Sequence, residues 1–235
     1  MSVLRLLCAG AAHGVVAALE PRWAQETGLR LDARYGPVGG LKEALLGGAP
    51  CDVFVATAAI VDALVAAGRL DRATRAKLGR VATGIAILDS APVPRIDDAD
   101  ALRGALLAAD RLFVPDPQRA TAGIHFTSVL QRLGIHDRVA SRLSIHPGGA
   151  AAMRALAASG DAAALGCTQV SEILDTAGVR LAAPLPPGYD LVTTYAAAAC
   201  AGASDPAAAR DFVALITGGG SAALRAACGI EPPGD

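Results

Sequence analysis

The sequence predicts a mixed α/β protein built as two lobes, and three observations carry that expectation. Apolar strand-like runs alternate with amphipathic helical stretches along the whole chain, the pattern of mainly parallel α/β layers. Two Pro-punctuated passages, SAPVPRI and LPPGYD, mark places where the chain crosses between lobes. The length, 235 residues, suits one large domain or two lobes of roughly 100 residues, each able to bury its own core.

In the first third, strands are expected near 3–8, 29–35 and 52–56, and helices near 12–27, 39–47 and 57–68. The run CDVFVATAAIVDALVAAG shows the logic. CDVFV reads as a buried strand, Thr57 stands at a capping position, Ile60, Val61, Leu64 and Val65 recur at helical spacing, and Gly68 ends the helix. A strand over 81–88 leads into SAPVPRI. The second lobe is then expected as a helix near 98–109, a strand at 111–114, helices at 121–134 and 149–158, a strand at 164–168, a short helix near 169–176 and a strand near 179–182. After Pro184, Pro186 and Pro187 comes a β-rich run, and DPAAARDFVALI and SAALRAACG read as two closing helices. This places the first lobe at 1–88 and 190–235 and the second at 89–189, with a ligand cleft expected between them.

Composition narrows the function classes. Hydrophobic residues make up 53% of the chain, but no apolar run approaches the roughly 18 residues that span a bilayer, so no membrane insertion is expected. A net charge of -1 without basic clusters argues against nucleic acid, which requires grouped Lys and Arg. The five cysteines, Cys8, Cys51, Cys167, Cys200 and Cys228, are odd in number and widely spaced, and read as buried reduced thiols. The chain opens directly on a strand, MSVLRLLCAG, without a basic segment and a long apolar one. A cytoplasmic location is expected, or a periplasmic one if the true start lies upstream.

Two strand-to-helix turns are the most informative features. In FVPDPQRATAGIHFTSVLQRLGI, Val114, Pro115 and Pro117 end a strand, Thr121 is expected to cap the next helix, and Ile124, Val129, Leu130 and Leu133 form its apolar face. Backbone N–H groups near Ala122 to His125 then point outward together, as an anion site requires. LRLLCAGAAHGVVAALEPRW repeats the construction, with small residues Gly10, Ala11 and Ala12 in the turn and His13 opening the helix.

With these residues in view, the chain resembles the type II periplasmic solute-binding proteins, and specifically their molybdate-binding branch, which also includes aconitate isomerase. The stretches that carry the likeness are LCAGAAHGVVAALEPRWAQETG, GGAPCDVFVATAAIVDALVAAGRL, PDPQRATAGIHFTSVLQRLGI and GGAAAMRALAASGDAAALGCTQVSEI, in that order across nearly the whole chain. The resemblance implies a bilobed fold, two mainly parallel sheet lobes joined by hinge strands, closing on a small anion held by helix N-termini and hydroxyls. It also implies serines in two loops of the first lobe and a tyrosine in the second. Here Gly10, Ala11 and Ala12, then Pro37, Val38, Gly39 and Gly40, and finally Gln169 stand in those places. Each lost hydrogen bond to a charged acceptor costs about 1.5–3 kcal/mol. Three such losses exceed about 4 kcal/mol, or about a thousandfold in affinity, so molybdate is not the expected ligand.

The expected ligand-binding set is Gly10, Ala11, Ala12, Gly39, Gly40, Arg119, Thr121, Ala122, Thr168 and Gln169, suited to a planar carboxylate, with Arg119 able to grip one bidentately. His13 and His125 are the candidates for proton transfer, because an imidazole can take or give a proton near neutrality. His136 and His146 are expected in surface loops. Asp52 and Asp116 read as turn or cap carboxylates, and Glu172, beside Ser171, as a weaker acid/base candidate. No cofactor is expected: GGLKEALLGG and TGGGS lack a phosphate-loop pattern, and neither the His nor the acidic residues have metal-ligand spacing. The leading expectation is a solute-binding-like protein for a small carboxylate or related oxyanion. The alternative is an aconitate-isomerase-like enzyme that moves an allylic proton on an unsaturated di- or tricarboxylate. An ABC transporter permease is an expected partner only if a signal peptide is missing from this chain.

Overall fold

The computed structural model describes residues 3–234. The chain divides into two compact units, one running to Val81 and resuming at Thr193, the other spanning Ala82–Val192. The boundaries thus fall at 81/82 and 192/193 rather than at the expected 88/89 and 189/190. The first shift arises because one unbroken strand, β4 (Ala76–Leu88), runs from the first unit into the second. Its polar opening, AKLGR, conceals it in the sequence. The main chain of Arg80 nevertheless exchanges both hydrogen bonds with Glu231, at 2.9 and 2.8 Å.

The first unit holds β1 (Val3–Ala9), α1 (His13–Thr27), β2 (Arg30–Gly36), α2 (Val38–Leu46), β3 (Val53–Thr57) and α3 (Ala58–Ala66). After the excursion through the second unit, the chain adds most of β9 (Val192–Ala199), then α9 (Pro206–Thr217) and α10 (Ala222–Ala227). The sheet order is β2-β1-β3-β9, with β1 parallel to both β2 and β3, and β9 antiparallel to β3. In α1, Val15, Val16, Leu19 and Trp23 form one buried stripe, and the helix ends where Gly28 turns left-handed at φ 71°. Trp23 meets Phe212 of α9 edge to face, ring centroids 5.1 Å apart. Burying each such large apolar side chain contributes about 1.5–3 kcal/mol. Asp205 caps α9 by accepting from Ala208 N–H at 3.0 Å, with Pro206 in the first turn, where its missing N–H costs nothing.

The second unit contains α4 (Ala99–Ala108), β5 (Leu112–Pro115), α5 (Thr121–Arg132), α6 (His136–Val139), β6 (Leu143–His146), α7 (Gly149–Ser159), β7 (Leu165–Gln169), α8 (Val170–Leu174) and β8 (Val179–Pro184). Strands run in the order β4-β7-β5-β6, with β8 also paired to β4. β5 is parallel to β6 and β7, whereas β4 is antiparallel to β7 and β8. Phe113, Phe126, Leu102, Leu106, Met153, Leu156 and Ile173 are buried in one cluster. Two elements were not expected, α6 and β6, and they correct the reading of His136 and His146 as loop residues. β6 is short, lies at the sheet edge and carries alternating polar residues, so it has no apolar run to betray it. His146 is half-buried, bonded to Ser144 Oγ at 3.0 Å and stacked on Phe113.

Among the described residues no helix is long and apolar enough to cross a membrane. All five cysteines are free thiols, of which Cys51 and Cys228 are half-buried and the others buried. Burial pushes the Cys8 and Cys167 thiols well above the usual range, which leaves them unreactive.

Candidate functional site

Parallel strands deliver their following helices to one end of the sheet, and open α/β folds place ligands at that end. In the first unit β1 and β2 lie side by side in register, Ala9 opposite Gly36, so the turns that follow them are neighbours. Gly10–Ala12 forms a single 3-10 turn, with Ala11 and Ala12 buried, and His13 is the first residue of α1. The His13 ring meets the ring of Tyr35 edge-on, centroids 4.5 Å apart. Gly39 and Gly40 occupy the first turn of α2. A Cβ on Gly40 would touch only Pro37, at 3.9 Å.

In the second unit β5 is flanked by β7 and β6, so three turns sit together: 116–120 before α5, 147–148 before α7, and 168–170 into α8. The first is a carboxylate turn. Asp116 Oδ1 accepts from the N–H groups of Gln118 (2.7 Å) and Arg119 (3.1 Å), which is the turn role expected of it. Arg119 is exposed on this turn. Thr121 does not cap α5: the N-cap is Ala120, and Thr121 is the first helical residue. Thr57 likewise occupies the N-cap of α3 without a side-chain bond. Ala122 is buried in the first turn of α5. His125 lies one turn further in, its Nε2 2.7 Å from the carbonyl oxygen of Tyr189. A carbonyl only accepts, so Nε2 carries a hydrogen, and a neutral ring has only Nδ1 left to act as base. Arg132 lies over the Tyr189 ring, 4.6 Å from its centroid, and donates to the carbonyl of Gly188, so loop 188–189 is tied to α5 from two sides.

The turn into α8 contains the most unusual chemistry. Gln169 is 3% exposed, and neither its Nε2 nor its Oε1 has a hydrogen-bond partner. The hydroxyls of Ser171 and Thr83 are buried and unpartnered as well. Thr83 stands directly opposite Gln169 in the β4–β7 pairing, so the two side chains share one face of the sheet. Leaving a buried polar group unpaired costs about 1–3 kcal/mol, and a native fold carries several together where a ligand or water completes them.

Beneath them lies Glu172. Its Oε2 accepts from Thr168 Oγ1 at 2.5 Å, and its carboxyl also accepts from the backbone N–H groups of Gln169 and Ala150. Burial pushes this carboxyl above the ordinary range; the three hydrogen bonds pull the other way and Asp175 adds to the rise. The sign for stability follows. The unfolded carboxyl ionises near its reference pKa of about 4.3, before the folded one does, so this contribution to stability is lost as pH rises from there through the folded value. Glu172→Gln is expected to flatten that part of the urea-midpoint profile relative to wild type; identical slopes would contradict it.

The sequence reading missed the turn before α7, and with it Gly149 and Ala150. The signal was present as a Gly-Gly pair opening an Ala-rich amphipathic helix, but the strand before it was not recognisable. No group of three or more His, Cys, Asp or Glu that could hold a metal occurs among the described residues.

An α/β chain in two units, each with small-residue turns and helix starts at the ends of parallel strands, is the architecture of a solute-binding protein. The sequence matches the bacterial extracellular solute-binding protein family over residues 4–227, and the chain belongs to that family. Aconitate isomerase from Pseudomonas sp is 25% identical over 99% of this chain and 88% of its own length. Among solved structures, the periplasmic molybdate-binding protein of Azotobacter vinelandii is similar with a TM-score of 0.78 at 21% identity, covering 98% of this chain and all (100%) of its own. The sulfate-binding protein SubI of Mycobacterium tuberculosis gives a TM-score of 0.75 at 18% identity, over 99% of this chain and 87% of that one. These two likenesses establish the fold.

Proposed function

We propose that this protein binds a small carboxylate or related oxyanion and does not prefer molybdate. The observation that carries the reading is the Gln169 amide, buried and unpartnered on both atoms beside the unpartnered hydroxyls of Thr83 and Ser171. Neutral donors of this kind hold the two oxygens of a planar carboxylate without a buried cation. Calorimetry tests the reading with a panel of di- and tricarboxylates beside molybdate and sulfate. A carboxylate is expected to bind most tightly, and Gln169→Ala to weaken it at least tenfold, the order of one hydrogen bond to a charged group. Arg119→Ala is expected to do the same if that exposed guanidinium reaches a ligand carboxylate. Submicromolar molybdate binding would sink the proposal.

The likeness to aconitate isomerase along nearly the whole chain supports a second reading, an enzyme that moves an allylic proton on an unsaturated di- or tricarboxylate. Such a shift needs a base near neutral pKa and donors that stabilise the charge developing on a carboxylate. His13 and His125 are the candidates, His125 through Nδ1, since its Nε2 is held by Tyr189. Incubation with trans-aconitate in deuterium oxide, followed by proton NMR, discriminates the two readings. Conversion or exchange that disappears in His13→Ala or His125→Ala while binding persists supports the enzyme. Binding without exchange leaves a receptor.

A further inference from the structure

No cationic side chain among the described residues pairs with the buried Glu172 carboxyl, so only its hydrogen-bond donors support it there. Those donors have a specific origin. Gln169 is the N-cap of α8 and Glu172 the third residue of that helix, so the bond to Gln169 N–H is half of a capping box. Ala150 is the second residue of a different helix, α7, and its N–H is one of the free donors at that helix start. The third donor, Thr168 Oγ1, lies 2.5 Å from Glu172 Oε2. Gly149 shows how closely the main chain of α7 wraps this group: a Cβ there would fall 1.9 Å from Glu172 Oε2 and 2.0 Å from Thr168 Oγ1.

We propose that Glu172 is a built-in occupant: its carboxyl fills the anion position at the start of α7, fixes the 168–172 turn that presents Gln169 and Ser171, and excludes external oxyanions from α7. The buried part of recognition in this unit is thereby left to neutral amide and hydroxyl groups, which makes Glu172 a specificity-determining residue. Only this last consequence rests on the anion-binding reading above; the occupancy of the α7 start by a carboxylate does not.

The test uses Glu172→Ala, which removes the carboxylate and leaves its donors. Thermal midpoints are measured near neutral pH in sodium formate and in sodium chloride of equal ionic strength. Formate is expected to raise the midpoint of Glu172→Ala by more than it raises that of wild type. Sulfate is expected to bind Glu172→Ala at least tenfold more tightly than wild type. A Glu172→Ala protein recovered in soluble form only with formate counts as rescue. The proposal is overturned if Glu172→Ala is insoluble in both salts, if it folds with no greater response to formate than wild type, or if sulfate gains nothing. A wild type that binds no carboxylate would defeat the proposed function and leave the formate result standing, so the two failures are distinguishable.

Discussion

Gly123→Ala is expected to destabilise the protein by about 3 kcal/mol, at the upper end of what overpacking does. Gly123 is the third residue of α5, and a Cβ there would sit 2.3 Å from the carbonyl oxygen of Asp116, 2.4 Å from that of Pro115 and 2.7 Å from the Asp116 carbonyl carbon. All three are main-chain atoms, so no rotamer change relieves the clash. The Asp116 carbonyl also accepts from Ala120 N–H at 3.1 Å, so the start of α5 cannot lift away without losing the turn that leads into it. The displaced groups include Thr121 and Ala122, so under the proposed carboxylate-binding function affinity is expected to fall together with stability. Urea denaturation followed by circular dichroism measures the first effect and calorimetry the second. An unchanged midpoint would mean that α5 does not approach the end of β5 as described.

Asp52→Ala is expected to cost a similar amount, about 3 kcal/mol, by a different mechanism. Asp52 is 2% exposed and lies just before β3. Its Oδ2 accepts from Arg5 N–H at 2.8 Å, and its Oδ1 accepts from Ser204 N–H at 2.6 Å and Ser204 Oγ at 2.8 Å. One side chain therefore joins β1 to the loop after β9, while its own main chain bonds to Arg5 and Cys200. Alanine strands two backbone donors, each costing about 1–3 kcal/mol when buried and unpaired. Asparagine keeps one acceptor oxygen but turns an NH2 group toward the remaining donor, so Asp52→Asn should fall between wild type and alanine. An alanine variant within about 0.5 kcal/mol of wild type, the usual range for an uninvolved surface position, would remove Asp52 from the framework.

Much of the architecture was legible because its causes are local. The expected helix at 12–27 corresponds to α1, and the expected strands at 29–35 and 52–56 to β2 and β3, because Val15, Val16, Leu19 and Trp23 repeat at helical spacing and VFVA is a continuous apolar run. The first half of β4 was not legible, since AKLGR is polar and its pairing partners, Glu231 among them, lie far away in the sequence. β6 was hidden for the same kind of reason: four residues at a sheet edge bury too little to show a pattern. Thr121 misled because threonine before an amphipathic run usually caps it, whereas Asp116 already organises the turn two residues after Val114.

The candidate site divides in the same way. Sequence alone determined the fold class, the family likeness, the small-residue stretches at Gly10–Ala12 and Gly39–Gly40, and a strand-to-helix junction beside Gln169, because each depends on residues adjacent in the chain. Only the tertiary structure decided that Thr83 stands opposite an unpartnered Gln169, that His125 is held by Tyr189, and that the carboxyl of Glu172 occupies the start of α7. Each of these is set by strand order and register, which bring together residues 22 to 86 positions apart (172 against 150; 169 against 83). Side-chain periodicity records which face of an element is buried; it does not record which other element will cover that face.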